Sequence, residues 1–196
     1  MPSDAVLFAG ISFVAGRKPI LFAAVDDGLE IVALTQWDIP SLMNCLVEYE
    51  GVQLTIDIPS SKTGQGLFQQ VQEKISGAGF RHYSQPEGPR LWIGSNAEGC
   101  FGVFQPELFP RRTLEGRLQR ALILYDEGLQ IPDPMDFFEE ITRHKLLQGV
   151  LPAENIYAPK QLDALILAYV SWMAGNPSEK VIIRDQIMLP RITETD

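Results

Sequence analysis

Val6-Leu7-Phe8-Ala9-Gly10-Ile11-Ser12-Phe13 is the first long apolar run of the chain, and its β-branched and aromatic residues read as a strand. The turn residues Gly16-Arg17-Lys18-Pro19 follow, and then Ile20-Leu21-Phe22-Ala23-Ala24-Val25 forms a second run of the same kind. Asp26-Asp27-Gly28 is a tight-hairpin sequence, because Asp-Gly tolerates positive φ, and residues 29–36 make a third strand. The opening therefore predicts an antiparallel three-strand meander.

Downstream the pattern changes period. Residues 40–49 carry Leu42, Leu46 and Tyr49 on one helical face, with Pro40 or Ser41 as the start and Gly51 as the stop. Residues 53–58 read as a strand closed by Pro59, and residues 66–76 as a helix closed by Gly77-Ala78-Gly79. Residues 80–99 are rich in Pro and Gly, with a short strand over 91–93; residues 100–104 read as the better strand. Helices are predicted over 113–127, over 133–147 with Asp133 as N-cap, and over 159–174, where the apolar residues run nearly all round and predict burial. Residues 181–183 and 187–189 form a closing hairpin. Three antiparallel strands followed by strands alternating with helices predict an α/β chain with a mixed central sheet flanked by helices.

The 196 residues suit one domain with a sizeable core. Hydrophobic residues at 45% and charged residues at 21% are an ordinary globular balance and argue against disorder. The apolar runs fall short of the roughly 18–20 residues that a membrane span needs. Met1-Pro2-Ser3-Asp4 has no basic stretch ahead of an apolar one, so no signal peptide is expected. Cys45 and Cys100 lack both disulfide-framework numbers and metal-ligand spacing; they are expected to pack as small apolar residues in a reducing, cytoplasmic setting. The net charge of −9, from 16 basic and 25 acidic residues, disfavours broad phosphate-backbone binding and leaves room only for a local basic patch.

Four places offer chemistry. Asp57 lies at the C-terminal end of the strand Leu54-Thr55-Ile56-Asp57-Ile58, on the face opposite Leu54 and Ile56. Asp is disfavoured within strands, and ligand sites in α/β sheets gather at such ends; the plainer account is a cap on the turn Pro59-Ser60-Ser61. Asp163 is the only charged residue between Gln161 and Gly175 on an apolar helix, so it needs a partner, a metal or a wet cleft, unless it is simply a first-turn acid favoured by the helix dipole. Ser12 is the only polar candidate in the middle of the first strand, and a neutral hydroxyl is a poor ligand for a hard cation. Arg111, Arg112, Arg117 and Arg120 form a candidate phosphate-binding edge, weighed against a solvated helix start paired with Glu107 and Glu115. His82 and His144 stand in no ligand spacing.

Six segments, in this order, resemble one family: Phe8-Ala9-Gly10-Ile11-Ser12, Thr55-Ile56-Asp57-Ile58-Pro59, Glu107-Leu108-Phe109-Pro110, Leu114-Glu115-Gly116-Arg117-Leu118-Gln119-Arg120, Leu162-Asp163-Ala164-Leu165 and Ile187-Met188-Leu189-Pro190. The family is that of predicted ribonuclease H-like nucleases, domain of unknown function 429, and the resemblance covers most of the chain. It implies a single ribonuclease H-like domain over residues 1–196, with 80–99 and 130–158 as family-specific additions. It also implies carboxylates converging on Mg²⁺ or Mn²⁺, metals that activate a water and stabilise a leaving oxygen.

The chain departs from the pattern twice. Ser12 stands where the family's first-strand Asp belongs, and Lys160 stands at the first of two late-helix acid positions, with Asp163 at the second. The resemblance thus leaves Asp57 and Asp163 as catalytic, metal-binding positions in a degraded site, with Lys160 able to fill a metal's space by pairing with either. The expectation is a ribonuclease H-like domain with weak or no nuclease activity. The alternatives are an active, divergent Mg²⁺- or Mn²⁺-dependent nuclease or phosphodiesterase, with Glu98 or Glu107 as substitute acid, and a non-catalytic interaction or scaffold domain. The partners expected are nucleic acid or a second copy of the chain, and no membrane.

Overall fold

The computed structural model describes residues 6–85, 87–137, 156–176, 181–184 and 187–191. Among them, eight strands and five helices form an α/β arrangement around one mixed sheet. The chain runs β1 (Val6–Phe13), β2 (Ile20–Val25), β3 (Ile31–Trp37), α1 (Ile39–Val47), β4 (Gly51–Asp57), α2 (Lys62–Gly77), β5 (Arg81–His82), β6 (Arg90–Ser95), α3 (Ala97–Phe104), α4 (Leu114–Asp126), α5 (Pro159–Gly175), β7 (Val181–Arg184) and β8 (Ile187–Pro190). The sheet order is β3-β2-β1-β4-β6-β8-β7. The meander β1-β2-β3 is antiparallel, β1, β4, β6 and β8 run parallel, and β7 closes antiparallel on β8. The two-residue β5 pairs with the first half of β6, while β8 pairs with its last residues.

The β2–β3 turn differs from its expected chemistry. Positive φ falls on Leu29 (φ 61°) and not on Gly28. Asp26 Oδ1 accepts from the N–H groups of Gly28 and Glu30, both at 2.9 Å, which shapes the turn. The left-handed conformation costs roughly 1–2 kcal/mol for a residue with a Cβ. Burying the Leu29 side chain, 7% exposed in the core, offsets that with about 1.5–3 kcal/mol.

A second correction concerns residues 90–104. The short strand expected over 91–93 is the inner strand β6, and the strand expected over 100–104 is helix α3. Ala97, Cys100, Phe101 and Phe104 recur at helical spacing, and Asn96 caps the helix by accepting from the Gly99 N–H. Ser61 likewise starts α2 earlier than expected: its Oγ accepts from the Gly64 N–H at 3.1 Å. The helix expected over 133–147 lies largely outside the described residues; within them, Asp133 Oδ1 accepts from the Met135 N–H. His144 lies outside them too.

The sheet is covered on both sides. Leu7, Ala9, Ile11, Leu54 and Ile56 face α1 and α2. Phe8, Ile93, Phe101, Leu124 and the apolar length of α5 form the other core. Helix α5 lies on β1, β2 and β4. Gly10 allows the close approach: a Cβ there would stand 2.1 Å from the Ala164 carbonyl oxygen and 2.4 Å from the Ala168 nitrogen. Ser171 ties the same helix to the sheet, donating to the Ala9 carbonyl at 2.8 Å with Thr55 Oγ1 2.6 Å from its hydroxyl. Both cysteines are free, and burial pushes the Cys100 thiol up to about 12, as befits an inert packing residue. Among the described residues no helix is long and apolar enough to cross a membrane.

Candidate functional site

The parallel register pairs Gly10 with Thr55 and Ile11 with Ile56, so one step further Ser12 stands beside Asp57. Period-two alternation turns both toward α5. Asp57 in turn pairs with Ser95 of β6, which places it in the middle of the sheet, where the strands end. Because Gly10 seats α5 at Ala164 and Ala168, the first turns of α5 arrive over Ser12. Lys160 and Asp163, three residues apart, share the helix face that meets it.

The four side chains form one cluster. Lys160 Nζ lies 2.9 Å from Asp163 Oδ2, 3.4 Å from Asp57 Oδ2 and 3.1 Å from Ser12 Oγ. Ser12 Oγ is 3.4 Å from Asp57 Oδ2 and 3.5 Å from Asp163 Oδ2. A second cation closes the group: Arg111 Nη2 donates to Asp163 Oδ2 at 2.5 Å. Ser12, Asp57 and Asp163 are buried, with Asp163 only 2% exposed, whereas Lys160 and Arg111 are about one-third exposed at 35% and 36% of their side chains. Two carboxylates thus meet two cations, and the cluster is neutral. Burial is the largest influence on Asp57 and raises its carboxyl pKa; the Asp163 charge adds to the rise, while Lys160 and the Ala97 N–H, 3.4 Å from Oδ1, oppose it.

The arginines do not form one edge. Arg111 joins the cluster and Arg112 is exposed. Arg117 donates to the carbonyl oxygens of Tyr157 and Ile156, tying α4 to the approach to α5. Arg120 is 1% exposed and is spent inside: it binds Glu98 Oε1 at 2.5 Å, the Phe109 carbonyl at 3.0 Å and the Gly116 carbonyl at 2.8 Å, and it lies over the Phe101 ring. A phosphate in solvent has no access to it. These bonds fasten the loop between α3 and α4, together with Gln119, which accepts from the Phe109 N–H and donates to the Glu107 carbonyl. Gly116 lets α4 approach that loop, since a Cβ would stand 2.2 Å from the Pro110 oxygen. The loop so fastened delivers Arg111 to Asp163.

Arg120→Met should therefore lower the unfolding free energy by about 2 kcal/mol, from lost charge-assisted hydrogen bonds and unpaired carbonyls. Urea unfolding measures it. A loss under about 0.5 kcal/mol would mean that Arg120 does not fasten the loop.

Neither candidate substitute acid reaches the cluster. Glu98 is held by Arg120, and Glu107 is exposed on the loop. Among the described residues no three His, Cys, Asp or Glu side chains are placed to hold a metal ion. His82 bonds Ser84 and packs edge-on against Trp92 beside β6. The contact that sequence reasoning missed is Arg111 with Asp163. Its signal was the motif 107–120, legible as a stitched loop only once Gly116 and Arg120 are seen facing inward. No protein-family model matches the chain, and no curated protein matches it.

Proposed function

We propose that the chain is a ribonuclease H-like domain that carries out no metal-dependent cleavage and serves as a binding domain, its carboxylate pair being held by Lys160 and Arg111. The meander followed by parallel strands, and the convergence of a strand-end Asp with a late-helix Asp, support the fold reading. The observation that carries the functional one is the position of Lys160 Nζ, within 3.4 Å of both carboxylates and of the Ser12 hydroxyl.

The Mg²⁺ or Mn²⁺ that the family resemblance implies does not fit this donor set. Mg²⁺ and Mn²⁺ take about six oxygen ligands, commonly one or two carboxylates completed by waters, and here both carboxylates are already neutralised by two cations. An ion entering would have to displace an ammonium and a guanidinium from buried acids, or stand beside them against their repulsion.

Calorimetric titration of the protein with Mn²⁺, and cleavage assays on single-stranded, double-stranded and branched nucleic acids, should give no binding and no cleavage. The paired substitution Ser12→Asp with Lys160→Glu returns acids to both departing positions and removes the amine. That variant should gain Mn²⁺ affinity, seen as a Tm rising by about 2–4 °C for each kcal/mol of linked binding. Cleavage by the parent that disappears in Asp57→Asn and Asp163→Asn would overturn the proposal.

A further inference from the structure

Asp57, Arg111, Lys160 and Asp163 of the ion cluster line a cleft of about 790 Å³, within the roughly 300–1,000 Å³ range of small-molecule sites. Phe13, Val14 and Pro19 supply apolar wall from β1 and the β1–β2 connection, and Pro59 and Leu67 supply it from the β4–α2 connection and α2. The charges within reach of a ligand are unequal. Lys160 has three N–H donors and three acceptors in the cluster, so it is saturated. Asp57 and Asp163 are neutralised, and Glu98 is engaged by Arg120.

Two cationic groups on the lining retain capacity. Arg111 has five N–H donors and uses Nη2 toward Asp163; among the described residues it makes no other hydrogen bond or ion pair. Lys62, exposed on the cleft at the start of α2, has no ion pair among the described residues. In a chain of net charge −9, this cleft therefore presents unused guanidinium N–H donors at Arg111 and the ammonium of Lys62 beside apolar wall.

We propose that the cleft binds a small phosphate monoester with an apolar or aromatic body, of the nucleoside monophosphate class, its phosphate held by the free part of the Arg111 fork and by Lys62 and its body lying against Phe13, Val14 and Leu67. A guanidinium fork suits a phosphate's paired oxygens, and an ammonium adds a point charge. The assignment rests on the proposed absence of metal at the carboxylates, since a bound cation would set the local field instead.

The test is titration calorimetry with adenosine 5′-monophosphate as probe, run once in EDTA and once in Mg²⁺. Inorganic phosphate, adenosine and a single-stranded dodecanucleotide are the comparison ligands. The expected result is metal-independent binding of the monophosphate, at least tenfold tighter than of phosphate or adenosine. Lys62→Gln and Arg111→Gln should each weaken it about tenfold, the order expected for one charge-assisted hydrogen bond. Lys74→Gln, at the far end of α2, should leave it unchanged. Lys62 is exposed, so its variant keeps the test valid if Arg111→Gln disturbs folding.

Absence of binding in both conditions, affinity unmoved by Lys62→Gln, or binding of the dodecanucleotide alone would overturn this assignment and leave the metal-free reading of the carboxylates standing. Binding only in Mg²⁺ would overturn both.

Discussion

Gly10→Ala is expected to lower the unfolding free energy by about 3 kcal/mol or more, at or above the upper end of typical overpacking costs. The new methyl would meet backbone, not a side chain that can rotate away: the Ala164 oxygen at 2.1 Å and the Ala168 nitrogen at 2.4 Å. Helix α5 must lift from β1, and with it go the buried contacts of Ala164, Leu167 and Ala168 and the hydrogen bond from Ser171 to Ala9. The same displacement draws Lys160 and Asp163 away from Ser12, so the site and the core fail together. Equilibrium urea unfolding measures the loss. Gly66→Ala is the natural control, because nothing lies within 4 Å of its would-be Cβ in α2. That change should stabilise by roughly 0.5–1 kcal/mol through helix propensity. A Gly10→Ala protein as stable as its parent would mean that α5 does not cross β1 there.

Lys160→Met should cost about 3 kcal/mol at neutral pH. Removing one partner from a buried ion pair typically costs about 3–5 kcal/mol, and the lower end applies because Lys160 is 35% exposed and partly screened by water. Asp163 would keep Arg111, and Asp57 would be left with no cation in contact among the described residues. The loss should depend on pH, and its sign follows from Asp57. Burial already raises that carboxyl above its ordinary value, so the native protein holds the proton more tightly than the unfolded chain does. Such a group contributes less stability as pH rises through its native pKa. Lys160 opposes the rise, and its removal sends the Asp57 pKa higher still. The deficit of Lys160→Met should therefore be greatest at pH 7 and shrink as pH falls into the range where Asp57 takes up its proton. Asp57→Asn on the Lys160→Met background should recover part of it. Urea unfolding at a series of pH values tests both statements, and a deficit independent of pH would show that the amine does not neutralise Asp57.

Much of this architecture can be read along the chain. The apolar runs over 6–13 and 20–25, separated by turn residues, made the β1-β2-β3 meander legible, and alternation along β4 put Thr55 and Asp57 on the face opposite Leu54 and Ile56. A nearly all-apolar stretch ending in Gly175 was legible as the buried helix α5. Residues 100–104 misled because a short apolar run fits either period; the Asn96 cap and the spacing of Ala97, Cys100, Phe101 and Phe104 resolve it as a helix. The grouping of Ser12, Asp57, Lys160 and Asp163 was suggested by the order of short motifs, and no local pattern places residues 12 and 163 together.

Local preference acts over a few residues, which is why strand runs, caps and helix faces appear in the order of amino acids itself. The partner of a charge is settled elsewhere. Four arginines between 111 and 120 look equivalent in the chain, yet Arg111 meets Asp163, Arg120 is sealed against Glu98 and two carbonyls, Arg117 holds the approach to α5, and Arg112 is left exposed. Leu29 accepts positive φ because the core takes its side chain. Only close packing at Gly10 and Gly116 brings such distant segments within hydrogen-bonding range, and a buried charge must take whatever partner that packing puts there.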